Sequence, residues 1–151
     1  MANSKSLSVV KKLAERKEAD AMTLLQSHQG QLQSDLAQYQ QIDEYYQEYI
    51  GKITTQRSIS IGDLKSYRLF AHQLSDSMTQ MQQKIDRLQG VITQLQSNWL
   101  LLKKKREAID ELIARAAAEA QSEEDRIEQK IADELINQRS HYENKSPYSS
   151  S

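Results

Sequence analysis

Residues 74–102 read LSDSMTQMQQKIDRLQGVITQLQSNWLLL, with apolar side chains recurring in steps of three and four. Two interleaved sets of positions, each repeating every seven residues, extend this pattern in both directions. The first set is Tyr67, Leu74, Met81, Leu88, Leu95, Leu102, Ile109 and Ala116, and the second is Ala71, Met78, Ile85, Ile92, Trp99, Arg106, Ile113, Ala120 and Ile127. A heptad repeat of this length predicts a long helix that packs in a left-handed coiled coil.

The first third of the chain carries a weaker repeat of the same kind. Its two sets are Leu25, Leu32, Tyr39, Tyr46 and Ile53, and Leu7, Ala14, Ala21, His28, Asp35, Ile42 and Tyr49. Two polar residues of the second set, His28 and Asp35, interrupt the apolar seam. The pattern therefore predicts a second long helix with a weakened middle.

Turn-forming residues separate the two repeats. Ser58, Ser60 and Gly62 favour a turn, and Ser60 is placed to cap the following helix. We predict a flexible N-terminus over residues 1–6, helices over about 7–55 and 63–139, a turn over about 56–62, and a disordered tail over 140–151.

A short connection makes two helices antiparallel neighbours. The predicted fold is therefore all-α, with two long helices in an antiparallel coiled coil, an α-helical hairpin. Residues of the two helices should face each other when their numbers sum to about 118, given a turn near residue 60.

The composition argues against several classes of function. The chain has 20 basic and 21 acidic residues and no cysteine, so it lacks the charge excess typical of nucleic-acid or membrane-surface binding. No apolar run approaches the roughly 20 residues that span a bilayer. The three histidines are far apart, and no glycine-rich phosphate loop is present. We expect no catalysis, no cofactor or metal, no nucleic-acid partner and no direct membrane insertion.

Two local clusters allow a functional or a purely structural interpretation. Residues 103–106, Lys-Lys-Lys-Arg, are either a contact for phosphate or an acidic partner, or a solvated face balanced by nearby acidic residues, and we favour the latter. Tyr45 and Ile50 lie outside the seam and, with Phe70, are expected to converge on one flank near the turn. Such an apolar excess is either a protein-docking site, which we favour, or is covered by wider helix contact.

Several pieces of the sequence, in this order and spacing, resemble the FliJ family of the flagellar protein export apparatus. The residues that carry the resemblance are Leu13, Ala14, Glu15 and Glu18; Ile42, Asp43, Glu44, Tyr45, Glu48 and Tyr49; Tyr67, Phe70 and Leu74; Trp99, Lys103, Lys104 and Arg106; and Glu128, Gln129, Lys130, Asp133 and Glu134. The resemblance covers nearly the whole chain. It implies a non-enzymatic stalk of two antiparallel helices.

The resemblance also implies partners and sites. The partners are the hexameric flagellar export ATPase and its regulator, the membrane export-gate protein, and export chaperones. The implied gate-binding residues are Gln38, Ile42, Tyr45, Tyr49, Phe70, Leu74, Ser77 and Met81. The implied ATPase-ring residues are Leu13, Glu15, Glu128, Gln129, Lys130, Asp133 and Glu134. The expected location is the cytoplasm, peripheral at the inner membrane through the export apparatus.

Two other functions fit the same pattern. One is the equivalent stalk of a virulence type III secretion system, which has the same architecture. The other is a generic coiled-coil scaffold or tether that dimerises in parallel through the same seam. A monomer in solution would favour the hairpin, and a parallel dimer would favour the tether.

Overall fold

A computed structural model describes residues 2–55 and 59–144. It contains two long helices, α1 over Ala2–Thr55 and α2 over Ile61–Asn144. The helices pack against each other, which confirms the predicted all-α fold. Contacts divide the chain into two compact units. We call Leu13–Lys105 the paired unit, and Met1–Lys12 with Arg106–Ser151 the terminal unit.

The helix boundaries differ from those predicted. α1 begins at Ala2 rather than at residue 7, and α2 runs from Ile61 to Asn144 rather than from 63 to 139. Residues 2–6 and 140–144, predicted as flexible or disordered, are therefore helical. Extending an existing helix requires no new nucleus, so polar residues without helix breakers continue it past the last apolar seam position. Residues 56–58 of the predicted turn and 145–151 of the predicted tail lie outside the described residues.

The start of α2 is fixed by a capping interaction. The Asp63 backbone N–H donates to Ser60 Oγ at 3.1 Å, and the Leu64 N–H donates to the Ser60 carbonyl oxygen at 3.0 Å. Ser60 is thus the N-cap, as its position in the sequence predicted. Gly62, predicted as part of the turn, instead lies in the first turn of α2. The negative charge of its neighbour Asp63 stabilises the N-terminus of this helix.

The paired unit is an antiparallel helix pair in the predicted register. Contacting pairs Asp35–Lys84, Tyr49–Phe70 and Tyr49–Tyr67 have residue numbers that sum to 119, 119 and 116. The buried apolar side chains all come from predicted seam positions: Ala21, Leu25, Ala71, Ile85 and Ile92. Two helices alone can bury only one such layer, so this unit has a thin core.

One carboxylate interrupts that layer. Asp35 is fully buried, with Lys84 Nζ 3.2 Å from its Oδ1 and Gln31 Nε2 donating to the same oxygen at 2.9 Å. Asp35 Oδ2 has no hydrogen-bond partner among the described residues. The Lys84 side chain is half exposed, because its stem covers the seam edge while its ammonium stays hydrated. Lys84 is therefore the cation that permits a buried charge at this position.

The terminal unit has its own polar contact near the start of its α2 portion. Lys11 Nζ lies 3.5 Å from Asp110 Oδ1, and Arg106 Nη1 donates to Asp110 Oδ2 at 3.0 Å. The hydrogen bond from Arg106 holds the pKa of the Asp110 carboxyl below its ordinary value of 3.8. Partial desolvation opposes this lowering of the pKa, and the positive charge of Lys11 reinforces it. The ion pair between Lys11 and Asp110 therefore links the α1 and α2 portions of the terminal unit.

The rest of α2 in this unit is exposed on every side. Each residue of 114–144 is solvent-exposed, and we call this stretch the uncovered segment. Its helix is supported by alanines with high helix propensity and by pairs three or four residues apart, including Arg126–Glu123 at 2.7 Å and Gln121–Asp125 at 3.0 Å. Local interactions therefore stabilise the helix in this segment, where no described residue packs against it.

Replacing Lys84 with glutamine should destabilise the chain by about 1–3 kcal/mol, because the buried Asp35 carboxylate would lose its cation. Asp35→Leu should raise stability, because it removes a desolvated carboxylate from an apolar seam. Urea unfolding followed by circular dichroism measures both effects. Arg87→Gln, an exposed change on the same turn of α2, is the control. Equal unfolding midpoints for Lys84→Gln and Arg87→Gln would contradict the assigned role of Lys84.

Replacing Arg106 with glutamine should raise the Asp110 pKa toward 3.8, because the first cause of its depression is removed. A carboxyl with a lowered folded-state pKa stabilises the fold above its unfolded pKa, and this contribution is lost as the pH falls through the folded value. The wild type should therefore lose more stability than Arg106→Gln on acidification below about pH 4. A carbon-detected NMR titration of Asp110 measures the shift. Arg115→Gln, which removes the partner of Glu111 instead, should leave the Asp110 pKa unchanged.

Candidate protein-binding surfaces

The seam of the paired unit has two edges of different character. In heptad notation the seam positions are a and d, and the flanking positions are e and g. In an antiparallel pair, e positions of both helices share one edge and g positions share the other. The g flank of the paired unit consists of Lys17, Leu24, Gln31, Gln38, Tyr45 and Lys52 from α1, and Asp63, Phe70, Ser77, Lys84, Val91, Asn98 and Lys105 from α2.

The e flank is formed by a different set. It consists of Glu15, Met22, Gln29, Leu36, Asp43 and Ile50 from α1, and Ile61, Arg68, Ser75, Gln82, Gln89, Gln96 and Lys103 from α2. Two shallow depressions of about 340 and 320 Å³ lie along this edge between the helices. Tyr46 and Ser75 line both of them. They are surface grooves between two helices, not enclosed sites that exclude water.

Aromatic side chains cluster on the g flank near the end of α1. The ring of Tyr49 lies 4.6 Å from that of Phe70 and 5.8 Å from that of Tyr67, both tilted by 54°. Lys52 Nζ sits 5.2 Å from the centre of the Tyr49 ring. These contacts half-bury Tyr49, whereas Tyr45 and Phe70 remain 48% and 42% exposed. The predicted aromatic patch therefore exists, and helix contact covers only part of it.

One member of the predicted patch lies elsewhere. Ile50 was expected to converge with Tyr45 and Phe70 on one flank. The structure instead places it at an e position, where it lines a groove with Tyr46 and Arg68. Tyr45 and Ile50 are five residues apart, and this spacing carries them to opposite edges of the seam at 3.6 residues per turn.

The eight implied gate-binding residues occupy two adjacent stripes of the paired unit. Four are half-buried seam residues at d positions: Ile42, Tyr49, Leu74 and Met81. Four are exposed residues at g positions: Gln38, Tyr45, Phe70 and Ser77. The fold therefore brings all eight to one edge of the helix pair, and none of them lies on the e flank.

The implied ATPase-ring residues are divided between the two units. Leu13 and Glu15 are exposed residues at the start of the paired unit, and Leu13 is 52% exposed. The other five lie in the uncovered segment of the terminal unit, where all are exposed: Glu128, Gln129, Lys130, Asp133 and Glu134.

The structure shows an exposed apolar stripe whose residues are not among the predicted site residues. Ile127, Ile131 and Leu135 lie on one side of the uncovered segment and are 49%, 53% and 61% exposed. The sequence indicates this stripe only through the spacing of four residues between its members. In a sequence this spacing looks like a change of coiled-coil register, and only the exposure shows that no described helix packs on it.

Metal-binding clusters and membrane spans are both absent from the described residues. No group of three or more histidine, aspartate or glutamate side chains is arranged there to hold a metal ion. Neither α1 nor α2 contains, within residues 2–55 and 59–144, a stretch that is apolar and long enough to cross a bilayer.

Comparison with known proteins gives one match. A family model described as Flagellar FliJ protein matches residues 3–146. No curated protein and no solved structure matches the chain. The family match covers both helices almost completely, and the two-helix fold agrees with what the resemblance implied. The chain is therefore a member of the FliJ family, a non-enzymatic component of the flagellar protein export apparatus.

Proposed function

We propose that this chain is a stalk that inserts into the ring of the hexameric flagellar export ATPase, promotes ring assembly and activity, and links the ring to the membrane export gate and to export chaperones. Family membership supports the export role. The proposed contacts with the ring and the gate are supported by the observation that each unit has its own exposed apolar surface. These are the aromatic patch of the paired unit and the Ile127–Ile131–Leu135 stripe of the terminal unit.

The aromatic patch is the proposed gate contact. Tyr45 and Phe70 are large side chains left about half exposed beside a half-buried Tyr49, so a partner can remove their remaining surface from water. Aromatic residues at the centre of a patch commonly dominate binding energy. Because Tyr49 already fixes the Phe70 ring in place, little side-chain entropy is lost on docking.

The uncovered segment is the proposed contact with the ATPase ring and its regulator. Leu13 and Glu15 are proposed as separate ring contacts of the paired unit. A single exposed helix is slim enough to enter a ring, at roughly 10–12 Å across with its side chains. Its polar residues include the five implied by the family, and its apolar stripe supplies surface that only a partner can bury. The chain would act through contacts that differ between states of the ring, with no cofactor.

The proposed location follows from these partners, namely the cytoplasm, peripheral at the inner membrane through the export apparatus. The family match favours flagellar export over the equivalent virulence secretion stalk. The contact between Asp35 and Lys84 within one chain favours a folded-back monomer over a parallel tether. Sedimentation of the purified chain as a parallel dimer would favour the tether instead.

Tyr45→Ala combined with Phe70→Ala should weaken binding to the cytoplasmic part of the export gate by about tenfold or more, the cost of losing roughly 1.4 kcal/mol. Calorimetry measures the affinity, and swimming motility reports its effect in cells. The control is Leu36→Ala with Leu69→Ala, because these side chains are 45% and 60% exposed but lie off the g flank. Wild-type affinity and motility in a helical Tyr45/Phe70 variant would rule out this contact.

Wild-type chain should raise ATP hydrolysis by the purified export ATPase, and Ile131→Gln with Leu135→Gln should remove most of that stimulation. The reason is that the variant deletes the apolar anchors of the uncovered segment but keeps its charges and helix propensity. Ala118→Gln, on another side of the same segment, serves as the control and should stimulate normally. Equal stimulation by all three proteins would exclude the stripe as the ring contact, and no stimulation by wild type would exclude the ring function.

A further inference from the structure

The g flank of the paired unit carries two exposed apolar residues beyond the proposed gate contact. Leu24 and Val91, both at g positions farther from the turn than Gln38 and Met81, are 47% and 42% exposed. Tyr45 and Phe70 continue the same edge toward the turn. Both helices thus contribute exposed apolar residues to this edge. On the e flank, by contrast, α2 contributes only polar side chains after its first residue, Ile61.

This pattern exceeds what a two-helix coiled coil requires. Two helices bury a and d positions only, whereas helices that face a third helix also carry apolar residues at e or g. Because the apolar g residues come from both α1 and α2, a helix lying along the edge would contact both. The described residues leave this edge uncovered.

Lysines are the charged residues of the g flank outside the first turn of α2. They are Lys17 and Lys52 from α1, and Lys84 and Lys105 from α2, and Lys84 is also the partner of the buried Asp35. The acidic g residue, Asp63, lies in the first turn of α2, away from Lys17, Lys84 and Lys105 along the helix pair. The e flank mixes both signs. A partner that fits the g flank must therefore present acidic side chains beside its apolar ones, since basic borders would face lysines from both helices.

We propose that the part of the g flank from the Lys17 and Lys105 level to the Gln38 and Lys84 level binds an amphipathic helix with acidic borders, which packs there as a third helix. Lys17 to Gln38 spans 21 residues of α1, or about 32 Å, which matches about three heptads of a partner helix. This surface meets the proposed gate contact at Gln38 and otherwise lies farther from the turn, and the proposal holds whether or not the gate binds at the aromatic patch.

The test uses two synthetic helices of about three heptads, each with leucine along one face. One has glutamate and the other lysine at the bordering positions. Binding to the full chain is measured by fluorescence anisotropy at low and high salt. The glutamate helix should bind at least about tenfold more tightly than the lysine helix, and salt should reduce this difference because it screens exposed charges.

Matched variants locate the binding edge. Leu24→Gln with Val91→Gln should weaken the glutamate helix by about tenfold, and Lys105→Glu should weaken it several-fold. Leu36→Gln is as exposed as Leu24 but lies on the e flank, and Lys104→Glu changes the neighbouring lysine on the outer face. Both controls should bind within about twofold of wild type. The pair Lys105→Glu and Lys104→Glu keeps the test valid should Val91→Gln unfold the chain.

Three results would overturn the proposal. The first is equal or absent binding of the two synthetic helices. The second is an equal loss of affinity in Leu36→Gln and the Leu24/Val91 variant, or in Lys104→Glu and Lys105→Glu. The third is self-association of the wild-type chain, seen by sedimentation equilibrium and abolished by the Leu24/Val91 variant, because the occupant of the edge would then be a second copy of this chain.

Discussion

The single layer of apolar side chains between α1 and α2 is the constraint on which the paired unit depends. Five small or aliphatic residues are buried there, and no second layer lies behind them in the described residues. A core this thin leaves every flanking side chain close to water, so apolar residues beside the seam stay exposed unless a partner covers them. The fold therefore couples a modest internal stability to a large contact surface.

Asp35 shows how this layer tolerates a charge. Its carboxylate is fully buried, yet one oxygen has a lysine and a glutamine as partners, and both partners come from positions beside the seam. No lysine or arginine occurs in α1 between Lys17 and Lys52. In a parallel pairing of two α1 helices, Asp35 would face a second Asp35 with no such cation nearby. The antiparallel arrangement within one chain supplies Lys84 instead, at the cost of a carboxylate oxygen left without a hydrogen bond.

The two units offer proteins different chemistry. The paired unit presents aromatic and aliphatic side chains bordered by lysines along one edge, a surface suited to acidic, apolar partners. The uncovered segment presents a narrow apolar stripe on a helix with exposed charged side chains, some of which pair within the helix, such as Arg126 with Glu123. The chain belongs to the FliJ family, and the proposed function assigns a different partner to each of these two chemically distinct surfaces.

Heptad spacing predicted the two helices, and Ser60 predicted the cap, because these depend on local periodicity and local hydrogen bonds. The antiparallel register followed from the short connection, which leaves the second helix no room to run parallel to the first. The helix ends were not predictable, since polar residues such as those at 2–6 extend a helix without any apolar signal. The five-residue spacing of Tyr45 and Ile50 already separates them onto opposite edges of the seam, so the membership of the aromatic patch follows from helix geometry. How much of Tyr45 and Phe70 stays exposed, and whether Ile131 is covered, depends on what packs against each side chain, and only the tertiary structure decides that.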